Sequence, residues 1–157
     1  MRADNGLAFM LQYENVAWYE HGTVRILDRR IYPTRVEYVI CKHHTEVATA
    51  IKDMVTQSGG PYTAAAMGMA LAAYEARKKP GDEFMEHMEN AAHTLSHARP
   101  TTAKKMVAVV EKCLFIAKKA LQEGKKADEA IFHHALETLN NRYTLISQIA
   151  KYLVNKF

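Results

Sequence analysis

The sequence predicts a mainly α-helical protein, with a small N-terminal three-stranded antiparallel sheet followed by a five-helix bundle. Three observations carry that prediction. Before residue 41, apolar residues alternate with polar ones in short runs, the period of a half-buried strand. From Thr45 onward they recur at helical spacing, on one face of each stretch. Gly and Pro then divide this second region, at Gly59-Gly60-Pro61, Pro80-Gly81, Pro100 and Gly124.

The elements follow in order. Val16 to Tyr19 and Val24 to Leu27 flank a Gly-containing turn, the mark of a hairpin. Arg35 to Ile40 alternates again and predicts the third strand. Thr45 is placed to cap the first helix, whose apolar stripe is Val47, Ile51, Met54 and Val55. Pro61 suits a first helical turn, where its missing N–H costs little. The helix it opens, Tyr62 to about Arg77, is small on nearly every side, which predicts a buried helix with close neighbours. Asp82 is placed to cap a third helix with stripe Phe84, Met88, Ala91, Ala92 and Leu95. A fourth runs from about Thr101 to Gln122, and Gly124 is a C-cap. Asp128 is placed to cap the fifth, which carries Ile131, Ala135, Leu139, Tyr143, Ile146, Ala150 and Leu153. That helix is still amphipathic at Tyr152, Leu153 and Val154, the pattern of a chain that continues past Phe157.

The 157 residues, 48% apolar and 24% charged, fit one ordinary domain, with residues 1–13 as an N-terminal extension and 14–157 as the domain. A doubly wound cofactor domain does not fit beside it. Lys and Arg total 21 against 17 Asp and Glu, a net charge of +4, and the cations are scattered. Nucleic-acid binding would need them concentrated on one face, so no nucleic-acid partner is expected. No apolar run approaches the ~20 residues that span a bilayer, so no membrane partner is expected either. Two cysteines without CxxC spacing and no signal peptide point to a cytoplasmic protein with free thiols.

The most informative segment is Gln57-Ser58-Gly59-Gly60-Pro61-Tyr62-Thr63, a Gly-rich loop opening directly into a helix. Such a junction offers backbone N–H groups and the positive end of a helix dipole to a phosphate. The same loop also serves a tight helix–helix connection in which Gly is needed only for packing. Arg99, beside Pro100 at a helix start, can offer its fork to a phosphate. A cation there opposes the helix dipole, which calls for a ligand or a carboxylate partner. Gln57, Ser58, Tyr62, Asn141 and Arg142 are further cleft-lining candidates. His93 and His97 share a helix face with Glu89, but no HExxH signature is present and no metal site is expected. The pairs His43-His44 and His133-His134 point to different faces. No catalytic constellation and no cofactor motif stands out.

Several of these motifs together resemble one family. Val16-Ala17-Trp18-Tyr19 through Val24-Arg25-Ile26-Leu27-Asp28 to Pro33 resembles the opening of the S-methyl-5-thioribose-1-phosphate isomerases. Ala64-Ala65-Ala66-Met67-Gly68-Met69-Ala70-Leu71-Ala72 resembles their "A-A-A-Y-G-M-A-L-A", Ser96 to Thr101 their "S-x-R-P-T-A", and Asn141-Arg142 their late "N-R". The same region is shared with the regulatory subunits of translation initiation factor 2B and with ribose-1,5-bisphosphate isomerases. The resemblance implies the N-terminal domain of a sugar-phosphate aldose–ketose isomerase of methionine salvage. Its active site lies between this domain and a Rossmann-like C-terminal domain that supplies the catalytic Cys and Asp. No catalytic residue is therefore expected here, and the chain alone is expected to be inactive. Gly59, Gly60 and Arg99 are implied as phosphate contacts. The implied partners are a phosphorylated sugar, the missing C-terminal catalytic domain and a second copy in a homodimer; no cofactor is implied. The family loop reads "R-G-A-P-A-I-G", whereas this chain has no Arg from Gln57 to Thr63. The alternative is a non-catalytic protein-interaction module, as in the initiation-factor subunits.

Overall fold

A computed structural model describes residues 2–157. Its elements run α1 (Tyr13–Val16), β1 (Trp18–Glu20), β2 (Thr23–Leu27), β3 (Tyr38–Cys41), α2 (His44–Lys52), α3 (Gly60–Glu75), α4 (Gly81–Ser96), α5 (Ala103–Gln122) and α6 (Ala127–Lys156). Single 3-10 turns stand at Phe9–Leu11 and Pro100–Thr102.

The sheet is antiparallel in the order β1-β2-β3, with Trp18 opposite Arg25 and Val24 opposite Cys41. Val24, Ile26 and Cys41 face the core. Between β1 and β2 only His21 and Gly22 remain, with φ of 46° and 79°. Two left-handed residues make the turn whose twist suits a hairpin. Gly22 also lies against the Tyr74 ring, where a Cβ would stand 2.4 Å from a ring carbon.

α3 is the centre of the domain. Every residue from Thr63 to Ala73 is buried. α2, α4, α5 and α6 pack around it, and the sheet meets its C-terminal half. Small side chains let these neighbours approach closely. At Gly68 a Cβ would stand 3.0 Å from Leu95 and 3.1 Å from Val47, so α2, α3 and α4 meet at that point.

The structure departs from the expected elements in definite ways. Among the described residues there are six α-helices rather than five. The extra one, α1, is a single turn without apolar periodicity, and a tertiary contact holds it: the Tyr13 N–H donates to Asp4 at 2.8 Å. β3 begins at Tyr38 rather than Arg35, because the Arg35 N–H turns back to the Ile31 carbonyl at 3.2 Å instead of joining the ladder. α3 starts at Gly60, taking both Gly60 and Pro61 into its first turn. Thr45, Asp82 and Asp128 lie inside first turns, each two residues past the N-cap positions His43, Pro80 and Lys126. Asp82 and Asp128 there still favour the helix dipole. α6 is buried at Ile131, Ala135, Leu139 and Tyr143 but exposed at Ile146, Leu153 and Val154. Among the described residues no helix is long and apolar enough to cross a membrane.

Both cysteines are free and buried. Burial pushes the Cys41 thiol up to about 11 and the Cys113 thiol up to about 12. Both thiols should therefore resist a neutral-pH alkylating reagent in the folded chain and react once it is unfolded. Mass spectrometry at intervals in urea reads this directly. Because both stay protonated when folded, stability should fall as pH rises above about 9, where unfolded thiols ionise. A second test probes the helix crossing. Gly68→Leu should cost about 3 kcal/mol in urea unfolding, because the side chain has no room between Leu95 and Val47.

Candidate functional site

One cleft of about 670 Å³ collects most of the residues singled out from the sequence. Its floor is the loop Thr56–Gly60 at the start of α3. One wall is the segment from Ala3 to Val16, and the other is the face of α6 bearing Arg142, Tyr143 and Ile146. Arg29, just after β2, completes the lining.

The loop has a distinct local geometry. Chain reversal after α2 uses a left-handed Met54 with φ 61°, and the Val55 N–H bonds back to Ala50 at 3.0 Å. A second left-handed residue, Ser58 with φ 59°, turns the chain into Gly59. The Gly60 N–H closes this turn on Gln57 at 3.0 Å. Gly60 lies against Thr56, where a Cβ would stand 1.9 Å from its Oγ1. Gly59 lies against the Arg142 guanidinium, 2.7 Å from where its Cβ would stand. No side chain caps α3, and no acidic residue stands in its first turn. Its positive end thus meets the cleft without a compensating carboxylate.

Two cations share the cleft. Arg142 donates a long bond to the Gly59 carbonyl at 3.5 Å and also lines a smaller neighbouring cavity with Tyr62 and Thr63. Arg29 is half-buried, its backbone N–H held by Val55 at 2.8 Å. Its side chain makes no hydrogen bond or ion pair with a described residue. The neighbouring Arg30 is instead clamped on Asp28 at 2.8 Å, and that side-chain bond holds the Asp28 carboxyl below its ordinary range. The N-terminal wall is tied down similarly. Arg2 bridges Asp4 and Glu14, each at 2.6 Å, and its bonds hold both carboxyls low. The Ala3 N–H reaches Asn140 on α6 at 3.0 Å, and the Tyr13 hydroxyl donates to the same Asn140 oxygen.

The structure therefore brings Gln57, Ser58, Gly59, Gly60 and Arg142 together in one cleft. Tyr62 lines the neighbouring cavity. Asn141 is exposed and lines neither, and Asn140 faces the N-terminal wall in its place. Arg99 also stands apart. Its Nε donates to the Ile51 carbonyl at 2.6 Å and its Nη2 to the Thr56 carbonyl at 2.9 Å. The partner this cation required is thus the negative end of another helix, α2, and the root of the loop. Arg29 was missed because Arg29-Arg30 reads as a surface basic pair. What separates the two is that Asp28 occupies Arg30 alone. His93 and His97 stack at a ring separation of 4.1 Å on the exposed face of α4, without a third ligand.

Fold and cleft together define a mainly helical protein with a cleft that sets two arginines beside an α3 free of acidic capping. No protein-family model matches the chain. Curated relatives do. The methylthioribose-1-phosphate isomerase of Caldanaerobacter subterraneus subsp. tengcongensis is 31% identical over 142 residues, covering 85% of this chain and 41% of that protein. That of Thermoanaerobacter sp. strain X514 is 31% identical over 121 residues, covering 76% and 33%. Among solved structures, subunit delta of the translation initiation factor eIF-2B from A. fulgidus aligns with a TM-score of 0.64 at 28% identity, over 80% of this chain and 36% of that one. The 5-methylthioribose 1-phosphate isomerase from Pyrococcus horikoshii shares the fold, with a TM-score of 0.68 at 22% identity over 83% and 37%. The chain belongs to the family of methylthioribose-1-phosphate isomerases and initiation factor 2B subunits, and it spans about two fifths or less of the length of these relatives.

Arg99 gives a direct test of the loop's construction. Arg99→Ala should lower stability by about 2 kcal/mol in urea unfolding, since two carbonyls lose a charged donor.

Proposed function

We propose that this region serves as the N-terminal domain of a sugar-phosphate aldose–ketose isomerase and supplies part of its phosphate site. A cleft that sets Arg29 and Arg142 beside the Gly59-Gly60 start of α3 is the observation that carries this reading. Two guanidinium forks and the positive end of an uncapped helix suit the charge and oxygen geometry of a phosphate monoester. The relatives are named for a phosphorylated ribose derivative, which supports the substrate class. In this reading Gly59 and Gly60 let the phosphate approach the backbone. Arg142 and Arg29 neutralise it, and Arg99 acts from behind by holding Thr56. Proton transfer during isomerisation belongs to groups outside these residues. In this reading the rest of the sugar is held by groups outside these residues.

A second reading, a protein-interaction module, draws on the likeness to eIF-2B subunit delta and on the exposed apolar end of α6 at Ile149, Leu153 and Val154. The two readings differ on the phosphate.

Calorimetry with an aldose 1-phosphate and with inorganic phosphate distinguishes them. Binding to the chain is expected, weakened about ten-fold or more by Arg29→Ala and by Arg142→Ala, since a hydrogen bond to a charged group is worth about 1.5–3 kcal/mol. Absence of binding, or binding indifferent to both substitutions, favours the interaction module.

A further inference from the structure

Away from the cleft, α2, α3 and α4 each direct one metal-ligating side chain to a common point. His44 is the first residue of α2, Glu75 the last of α3, and His87 lies midway along α4. His44 Nδ1 stands 2.7 Å from Glu75 Oε2, and His87 Nε2 stands 3.0 Å from the same oxygen. The other carboxylate oxygen, Oε1, accepts the His44 backbone N–H at 2.6 Å. The three ligand atoms all lie within 4.8 Å of one another, and no other such group of three occurs among the described residues.

The placement of Glu75 needs compensating donors or a cation. A carboxylate at the C-terminal end of its own helix opposes the helix dipole. The His44 backbone N–H and the rings of His44 and His87 converge on this carboxylate from two other helices. One carboxylate is thus flanked by two imidazoles aimed at one oxygen. Two imidazole nitrogens and one carboxylate oxygen are the donor set that suits zinc rather than magnesium or calcium. Bonds of about 2.0–2.2 Å would separate ligand atoms by about 3.4 Å in a tetrahedron, an opening of about half an ångström from the present contacts. The side chains are 12%, 15% and 23% exposed, so the cluster is partly reached by solvent. The packing around Gly68 fixes the mutual positions of these three helices.

We propose that His44, Glu75 and His87 form a binding site for one zinc-type divalent transition metal, with water as the fourth ligand. This site is independent of the phosphate reading, since none of its residues lines the cleft.

The test titrates the purified, metal-stripped chain with Zn²⁺ by calorimetry and with Co²⁺ by visible absorption, and follows the imidazole resonances by NMR. One equivalent of Zn²⁺ should bind, Co²⁺ should give the intense bands of a four-coordinate centre, and the His44 and His87 rings should shift or broaden. His87→Ala and Glu75→Gln should each weaken binding by at least about ten-fold, the loss typical even of an outer partner of a metal ligand. His97→Ala should leave it unchanged. Should either site variant fold poorly, the ring resonances of the unaltered chain decide. Silent His44 and His87 rings under excess Zn²⁺ would reduce the cluster to a hydrogen-bonded brace. Affinity lost in His97→Ala and kept in His87→Ala would place the metal on the His93–His97 pair and overturn the proposal.

Discussion

The close approach of four helices to α3 is the constraint on which the rest of this structure depends. A helix of Ala, Gly and Met presents little side-chain bulk, so its neighbours settle at short range and bury it on all sides. Close packing makes such an arrangement intolerant of added volume. The start of α3 therefore has a fixed position relative to α6, and the cleft between them inherits that rigidity. Tight packing here serves the site by determining where a helix terminus points.

Around that terminus the charges are sorted by partner. Arg2, Arg30 and Arg99 are each engaged, on Asp4 with Glu14, on Asp28, and on two backbone carbonyls. These interactions shape the walls and the loop. Arg29 and Arg142 are left with weak partners or none, and both lie in the cleft. A half-buried guanidinium without a strong acceptor carries a desolvation cost that an incoming anion relieves. The contrast between Arg99 and Arg29 shows that basic residues near a loop are separated by their acceptors rather than by their positions in the chain.

Much of the fold was legible because it rests on periodicity. The hairpin, the buried α3 and the long α5 and α6 follow from alternation, from Ala runs and from apolar stripes. What escaped rests on contacts between distant residues. α1 exists because Asp4 takes the Tyr13 N–H. Helix starts were misplaced by two residues, since Thr45, Asp82 and Asp128 lie in first turns without capping them, where the two Asp serve the dipole. The loop itself was legible from its glycines, and so was the candidacy of Arg142. Arg29 was not, because only the Asp28–Arg30 clamp distinguishes it from its neighbour. The convergence of His44, Glu75 and His87 lies wholly in the crossing of three helices, and no spacing along the chain encodes it.

The N-terminal wall carries one last consequence. Residues 3–11 lie along the cleft as a strap, fastened at its start by the Arg2–Asp4–Glu14 clamp and by Asn140, which accepts the Ala3 N–H. The floor is immobilised by α3 and cannot be reshaped without unpacking the domain. Any change in what this cleft admits is therefore confined to its perimeter, the strap and the outer face of α6, while the scaffold beneath stays the same.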